Sequence, residues 1–424
     1  MRYQTKTVLG CLLASTLFVE SADAGGFGRG GVEIDLLFAE EELTFEAGTR
    51  IIFPQRTLET ATKLVNSSGQ PTQTSSTNVN VNSQYYQTWF GGKFDVGDHV
   101  DCLGSYSEPF GANVNNGLNT AVSASAVEFE LNTRDFGLTC SAKFDAGQTP
   151  VGAGQFRLIG GLSYLQFDGS LSRQTFVDFV GIPAAFLPAA LTGLNTQAVG
   201  QFTFEDETFG WRLGVAYEIP EIAARISLVY NSSYEINGTG QVDISAFNTP
   251  AALANSVSPI SFDTEIPQSV DFRLQSGVTE SMLLFGEVRW QEWSRIQSVP
   301  VSGVPSPVTG LESAVFFEPL YRDGITVTGG AGYRFTDDLS GGASLTWDRG
   351  TSTTVGTQSD TWLLSLGLQY DINEHFTARL GGAAGILTSG STPGTGQQDQ
   401  ATAAAVSFGN DFVGALNASL KVNF

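Results

Sequence analysis

Residues 360–371 read Asp-Thr-Trp-Leu-Leu-Ser-Leu-Gly-Leu-Gln-Tyr-Asp. Trp362, Leu364, Leu366, Leu368 and Tyr370 fall on one face, opposite Ser365, Gly367, Gln369 and Asp371. A period of two marks a strand whose faces meet different solvents. An aromatic residue caps each end of the apolar face, and the two are eight residues apart. At ~3.3 Å rise and ~40° tilt that distance covers roughly 20 Å of bilayer. A water-soluble sheet would bury such a face and would not need aromatic caps at both ends.

The pattern recurs on both sides of this stretch. Trp211, Leu213, Val215 and Tyr217 oppose Arg212, Gly214, Ala216 and Glu218. Ile325, Val327, Ala331, Tyr333 and Phe335 oppose Thr326, Thr328, Gly330 and Arg334. About fourteen such stretches can be placed, at 44–53, 85–95, 100–109, 127–144, 155–167, 201–218, 225–237, 267–278, 282–296, 324–335, 339–348, 360–371, 376–387 and 412–424. Short connections such as Val96-Gly97-Asp98-His99 and Thr336-Asp337-Asp338 alternate with long ones such as 54–84, 168–200 and 238–266. Only the turn at 145–154 is longer than the other short ones. Tight turns at one end and extended loops at the other describe an outer-membrane barrel. The expected fold is all-β: a transmembrane antiparallel β-barrel over residues 44–424.

Both termini agree with export. Arg2 and Lys6, the apolar run Val8 to Val19 and Ala22-Asp23-Ala24 read as a signal peptide over 1–24, with Gly25 as the mature start. Cys11 precedes most of the apolar run, so it does not sit in a lipoprotein box. At the other end Leu416, Ala418, Leu420, Val422 and Phe424 alternate with Asn417, Ser419, Lys421 and Asn423. A last strand of this kind with a terminal Phe resembles the signal read by the bacterial barrel-insertion machinery, an expected partner during biogenesis.

Composition excludes several function classes. The net charge of −22 opposes nucleic-acid binding, which needs clustered cations. A mean hydropathy near zero with 15% charged residues suits a barrel with a polar lumen. The mature chain has no apolar run long enough for a transmembrane helix. Its two histidines, His99 and His375, lie at separate short turns, with no metal spacing and no Ser-His-Asp arrangement. No catalytic residue, metal or cofactor is expected, and the chain is not read as an enzyme. Cys102 and Cys140 fall near the periplasmic ends of neighbouring strands and point the same way, so they can be bonded or free.

The long connections carry the ligand signal. Residues 176–194 include Phe176, Phe179, Ile182, Phe186, Leu187 and Leu191, far too apolar for an ordinary outer loop. The next long connection adds Phe247 and Leu253. Two adjacent apolar loops read as a groove that collects a hydrophobic ligand; the alternative is a lid in which they pack on each other. Residues 25–43 hold Gly25, Gly26, Gly28, Gly30 and Gly31 and then Leu36-Leu37-Phe38. This stretch is either a plug folded into the lumen or a frayed periplasmic tail.

Several stretches resemble the FadL-type outer-membrane transporters. They are Phe209-Gly210-Trp211-Arg212-Leu213-Gly214, Ile266-Pro267-Gln268-Ser269-Val270, Trp290-Gln291-Glu292-Trp293-Ser294 and Glu108-Pro109-Phe110-Gly111. The resemblance implies fourteen strands and a small N-terminal hatch built on Leu36, Leu37 and Phe38. It implies passive uptake of long-chain fatty acids or other hydrophobic small molecules, captured outside and released sideways into outer-membrane lipid. The lateral opening would lie at a kink in the third strand, between Gly104 and Pro109. Arg212, Arg273, Arg289 and Arg334 are luminal candidates for an anionic head. Leu37-Phe38-Ala39-Glu40-Glu41 stands where many members carry Asn-Pro-Ala. A monomer is expected. The rival reading is a general diffusion porin for polar solutes.

Overall fold

The computed structural model describes residues 25–424 apart from 31–33, 63–74, 82, 124, 177–196, 248–251, 253, 308–309, 314 and 395–403. The proposed signal peptide therefore lies outside the described residues. Among those residues, nineteen strand segments form one antiparallel sheet, and because five strands are interrupted they make fourteen staves. β1 (Leu43–Pro54), β2 (Tyr85–Asp95), β3 (Val100–Ser107, resuming at Gly111–Asn115), β4 (Glu128–Thr149) and β5 (Gly152–Phe176) come first. β6 (Gln197–Ile219), β7 (Ala224–Asn231, then Tyr234–Asp243), β8 (Val257–Ile266, then Ser269–Gly277) and β9 (Met282–Gln291, then Val299–Ser302) follow. β10 (Val315–Phe317, then Gly324–Arg334), β11 (Leu339–Asp348), β12 (Thr361–Asp371), β13 (Phe376–Leu387) and β14 (Asp411–Asn423) complete the wall. β14 pairs with β1 from Thr44↔Asn423 to Pro54↔Val413, which closes the barrel and removes both sheet edges.

The alternation sorts the two faces. On β12, Trp362, Leu364, Leu366, Leu368 and Tyr370 are exposed, whereas Leu363, Ser365 and Gln369 are buried. Exposed apolar side chains around the wall are the lipid surface. Charged side chains inside are paired across staves. Arg379 Nη1 donates to Glu46 Oε1 at 2.6 Å, and Arg157 Nε donates to Glu218 Oε1 at 2.5 Å. Lys143 and Arg157 share the Asp101 carboxylate. Removing one member of such a pair leaves a charge without its partner and costs about 3–5 kcal/mol, so the ladder fixes which way each stave faces.

Three sequence expectations need correction. The strands beside the third and fourth outer connections run further than the pattern indicates: β5 reaches Phe176, β6 begins at Gln197, and β7 and β8 fill much of 238–266. Residues 145–154 are not a long turn, because β4 continues to Thr149 and β5 starts at Gly152. β9 stops at Gln291, and Trp293–Arg295 forms a 3-10 turn that carries Trp293 into the interior. In the first two cases the chain leaves the bilayer while its backbone pairing continues, so a pattern tuned to lipid contact ends too early. In the third, Trp293 and Ile296 are apolar because they are buried inside, so the pattern runs past the end of the segment. A small outer sheet of Thr57–Thr62, Ser75–Ser76, Val79–Asn80, Gly390–Thr392 and Ala405–Phe408 also lies within stretches that read as loops.

Cys102 and Cys140 are bonded, with Cα atoms 4.0 Å apart at directly opposed positions of β3 and β4. Their neighbours Asp101, Leu103, Thr139 and Ser141 face inward and are buried. By alternation the bridge is therefore on the outward side of the wall, where Cys102 is covered by its neighbours and only 6% exposed, and it staples β3 to β4.

Candidate functional site

The outer half of three staves reverses the polarity of the lower half. On β5, Leu158 and Leu162 point to lipid, but Leu165 and Phe167 point inward and are almost fully buried. On β4, Phe136 and Leu138 are exposed while Phe129 and Leu131 are buried. On β6, Phe209 and Trp211 are exposed while Phe202 is buried. Apolar residues thus change from one parity to the other as each stave passes the outer aromatic belt. Above that level the outside is aqueous, and the inside becomes apolar. The result is a chamber of about 100 Å³ lined by side chains such as Phe129, Leu131, Phe167, Phe202, Phe204 and Phe262. An outer vestibule of about 430 Å³ adjoins it and shares Phe27, Phe129, Arg173 and Phe317 with its lining.

The segment before β1 lies in the lumen. Gly26 has φ +58° and passes against Trp293, where a Cβ would come within 2.3 Å of the indole. That close approach places Phe27 in an aromatic cage. Its ring lies 6.0 Å from Phe129, 5.8 Å from Trp293 and 5.7 Å from Tyr321, all edge-on. Further on, Ile34–Phe38 forms a 3-10 turn in which every residue is buried. Leu36, Leu37 and Phe38 pack with Leu103, Ile159, Ala216 and Val229 of the wall. Burial on this scale stabilises by about 1.5–3 kcal/mol per side chain. Asp35 in the same turn accepts from Arg225 Nη2 of β7 and, at 2.9 Å, from Arg273 Nη1 of β8. Arg225 also stacks on the Phe38 ring at 4.1 Å.

A polar cavity of about 90 Å³ lies on the far side of Phe110 from the apolar chamber, with Asp135, Arg212, Asp271, Arg273 and Arg289 in its lining. On the periplasmic side, beside Phe38, a second polar cavity of about 230 Å³ holds Lys93, Asp101, Arg157, Glu218 and Arg225. Phe110 separates the first of these from the apolar chamber, and the luminal turn stands between the two polar cavities, with Ile34 lining one and Phe38 the other.

β3 is broken at Glu108-Pro109-Phe110, where Pro109 has no N–H to offer a neighbour. Its ladder with β2 ends at Phe90↔Tyr106, and Gly111–Asn115 pairs with β4 alone. Contact with the chain before β2 resumes higher up, at Ser83 N to Asn113 O (3.3 Å) and Asn115 N to Val81 O (3.2 Å). The wall thus has a window between β2 and β3, bounded above and below. The Glu108 carboxylate spans it, accepting from Thr88 N at 3.2 Å and Tyr106 Oη at 3.0 Å. From inside, the Arg29 guanidinium reaches the same window, and its burial pushes its pKa down against the pull of Glu108.

The residues singled out from sequence fall in different places. Leu36, Leu37 and Phe38 lie on the buried luminal turn. Pro109 is at the break, whereas Gly104 is regularly paired with Gly92 and Leu138 below it. Phe247 is buried among Ala198, Phe202, Val242, Ile244 and Ile260. Phe176 ends β5, and Phe179, Ile182, Phe186, Leu187, Leu191 and Leu253 lie outside the described residues. Arg212, Arg273 and Arg289 line the polar cavity. Arg334 instead ends β10 beside the short turn, where its N–H donates to Ser281 O. Sequence reasoning missed Phe27, Arg29, Asp35 and the chamber phenylalanines. The parity change in Tyr164-Leu165-Gln166-Phe167 is the signal that locates the chamber.

A closed antiparallel barrel with a lipid-facing surface, an internal plug-like turn and an apolar chamber defines a transport protein of the outer membrane. Residues 153–384 match the family model described as outer membrane protein transport protein (OMPP1/FadL/TodX), and the chain belongs to that family. It is a family of transporters rather than enzymes. Among solved structures, a Pseudomonas aeruginosa FadL homologue is similar at TM-score 0.74 and 13% identity, over 96% of this chain and 99% of that one. The Pseudomonas putida toluene transporter TodX is similar at TM-score 0.57 and 14% identity, over 96% and 98%. The CymD monoaromatic hydrocarbon channel is similar at TM-score 0.58 and 14% identity, over 92% and 90%. No curated protein matches the chain.

Proposed function

We propose that this protein takes up hydrophobic small molecules, long-chain fatty acids or compounds of similar apolarity, across the bacterial outer membrane without an energy source. The observation that carries this reading is an apolar chamber that reaches the break in the wall at Phe110 and adjoins a vestibule lined by Tyr85, Gly111 and Asn113 of the window. A ligand enters from the outer loops, sheds water against the chamber phenylalanines, and leaves sideways through the β2–β3 window into lipid. Each methylene removed from water stabilises the bound state by ~0.8 kcal/mol, enough to collect a dilute amphiphile. Onward flow follows dilution into the bilayer and consumption inside the cell. The hatch role given to the luminal segment explains why the path turns outward: Leu36, Leu37 and Phe38 occupy the straight route to the periplasm. The names of two relatives, a toluene transporter and a monoaromatic hydrocarbon channel, support the same substrate class.

A diffusion porin makes the opposite demand, an open polar lumen. Liposome swelling with sugars, run beside mass spectrometry of co-purified small molecules, separates the two. Slow swelling with a bound acyl or aromatic compound is expected. Rapid sugar entry would overturn the proposal.

A further inference from the structure

We propose that Arg29 is the bolt of the β2–β3 window: its guanidinium bridges both rims from the lumen and must withdraw before the wall opens. This inference rests on the lateral-exit reading above. The backbone around Arg29 is attached to the broken strand itself. Gly28 forms an antiparallel bridge with Phe110, Arg29 N donates to Pro109 O at 2.8 Å, and Gly111 N donates to Phe27 O at 2.8 Å. The luminal segment therefore replaces β2 as the partner of β3 at the break. That attachment fixes where the side chain goes.

The guanidinium then touches both sides of the opening. Its Cζ sits 4.1 Å over the Tyr85 ring on β2, and Nη2 donates to Asn113 Oδ1 on the outer part of β3. Stacking and a planar fork of donors are arginine properties that lysine does not reproduce. Gly111 provides the space for this crossing: a Cβ there would lie 2.4 Å from Arg29 Cζ. Glu108 closes the same window by accepting from β2, its carboxylate from Thr88 N and its carbonyl from Gln87 Nε2. Arg29 also lines the outer vestibule, so whatever fills the vestibule meets the bolt directly. On the luminal segment's side, opening the window requires loss of the Gly28 bridge, loss of the Tyr85 stack and release of Asn113, in addition to release of Glu108 from β2.

Two substitutions approach the bolt from opposite sides. Arg29→Ala removes it. Gly111→Ala keeps the guanidinium and pushes its flexible end away, at a glycine whose φ is not in the left-handed region. In full-length protein, backbone amides 29 and 111 should exchange at least about tenfold faster in both variants, while amides of residues 101–107 keep wild-type rates. Initial uptake of radiolabelled oleate by cells expressing either variant should rise several-fold. Arg29→Lys should fall between wild type and Arg29→Ala. Wild-type exchange at positions 29 and 111 in both variants would overturn the bolt, whatever uptake does. If wild-type cells take up no oleate or aromatic hydrocarbon, the transport reading fails, and the exchange data alone then decide the role of Arg29.

Discussion

Replacing Asp35 with Asn tests how firmly the luminal turn is held. The Asp35 side chain is 2% exposed and accepts from two arginines of the wall. Breaking a buried pair by neutralising one member costs about 3–5 kcal/mol when nothing compensates. Here the arginines keep other partners. Arg225 retains Gln275 Oε1 at 3.2 Å and the Phe38 ring, and Arg273 retains Glu287 at 3.1 Å. The expected loss is therefore smaller, about 2–3 kcal/mol, or roughly 30- to 150-fold in the docking equilibrium of the turn. Hydrogen exchange at Ala39 reads this directly, because its amide donates to Leu36 O at 3.1 Å within the turn. In Asp35→Asn that amide should exchange faster by about this factor while amides of β12 remain unchanged. An exchange rate within threefold of wild type would refute the idea that the carboxylate anchors the segment.

The lipid-facing assignment predicts that Leu366→Arg destabilises the folded barrel by about 2–4 kcal/mol in a denaturant titration in lipid vesicles, whereas Ser344→Ala on the inner face of neighbouring β11 shifts the midpoint far less. Replacing Cys102 and Cys140 with Ser should lower stability by up to about 4 kcal/mol, given a sequence separation of 38, measured by the loss of heat-modifiable gel mobility. Glu221 accepts from Ala153 N at 2.9 Å in the aqueous turn region, and that bond holds its carboxyl below the ordinary value. A depressed carboxyl stabilises above its unfolded pKa and loses that effect as pH falls through the folded value. The protection of Ala153 relative to Glu221→Gln should accordingly stay flat from neutral pH down to the ordinary carboxyl range and be lost as pH falls below that range.

Residues 360–371 make the fold legible because lipid and lumen impose opposite demands on adjacent side chains, and no other environment leaves Leu364, Leu366 and Leu368 exposed together. The chamber is written in the same code with the parity inverted, so a search for outward apolar residues passes over Leu165 and Phe167. Arg29 and Asp35 are harder to find. Their roles arise from partners about 80 to 240 residues away, Asn113, Arg225 and Arg273, whose approach depends on barrel closure. The break in β3 is half legible. Pro109 marks the missing donor, but the length of the window depends on where the β2 ladder stops, which local sequence does not encode.

The central claim is that the inverted outer half of the wall is a passage for apolar molecules. It is tested most directly by oleate accumulation in cells expressing wild-type protein or a Phe167→Asp, Phe204→Asp variant, whose rings are 5.7 Å apart in the wild type, with equal insertion verified by the folded gel band. The account predicts saturable accumulation in wild type and a loss of at least tenfold in the variant. Equal accumulation by two equally inserted proteins would contradict it.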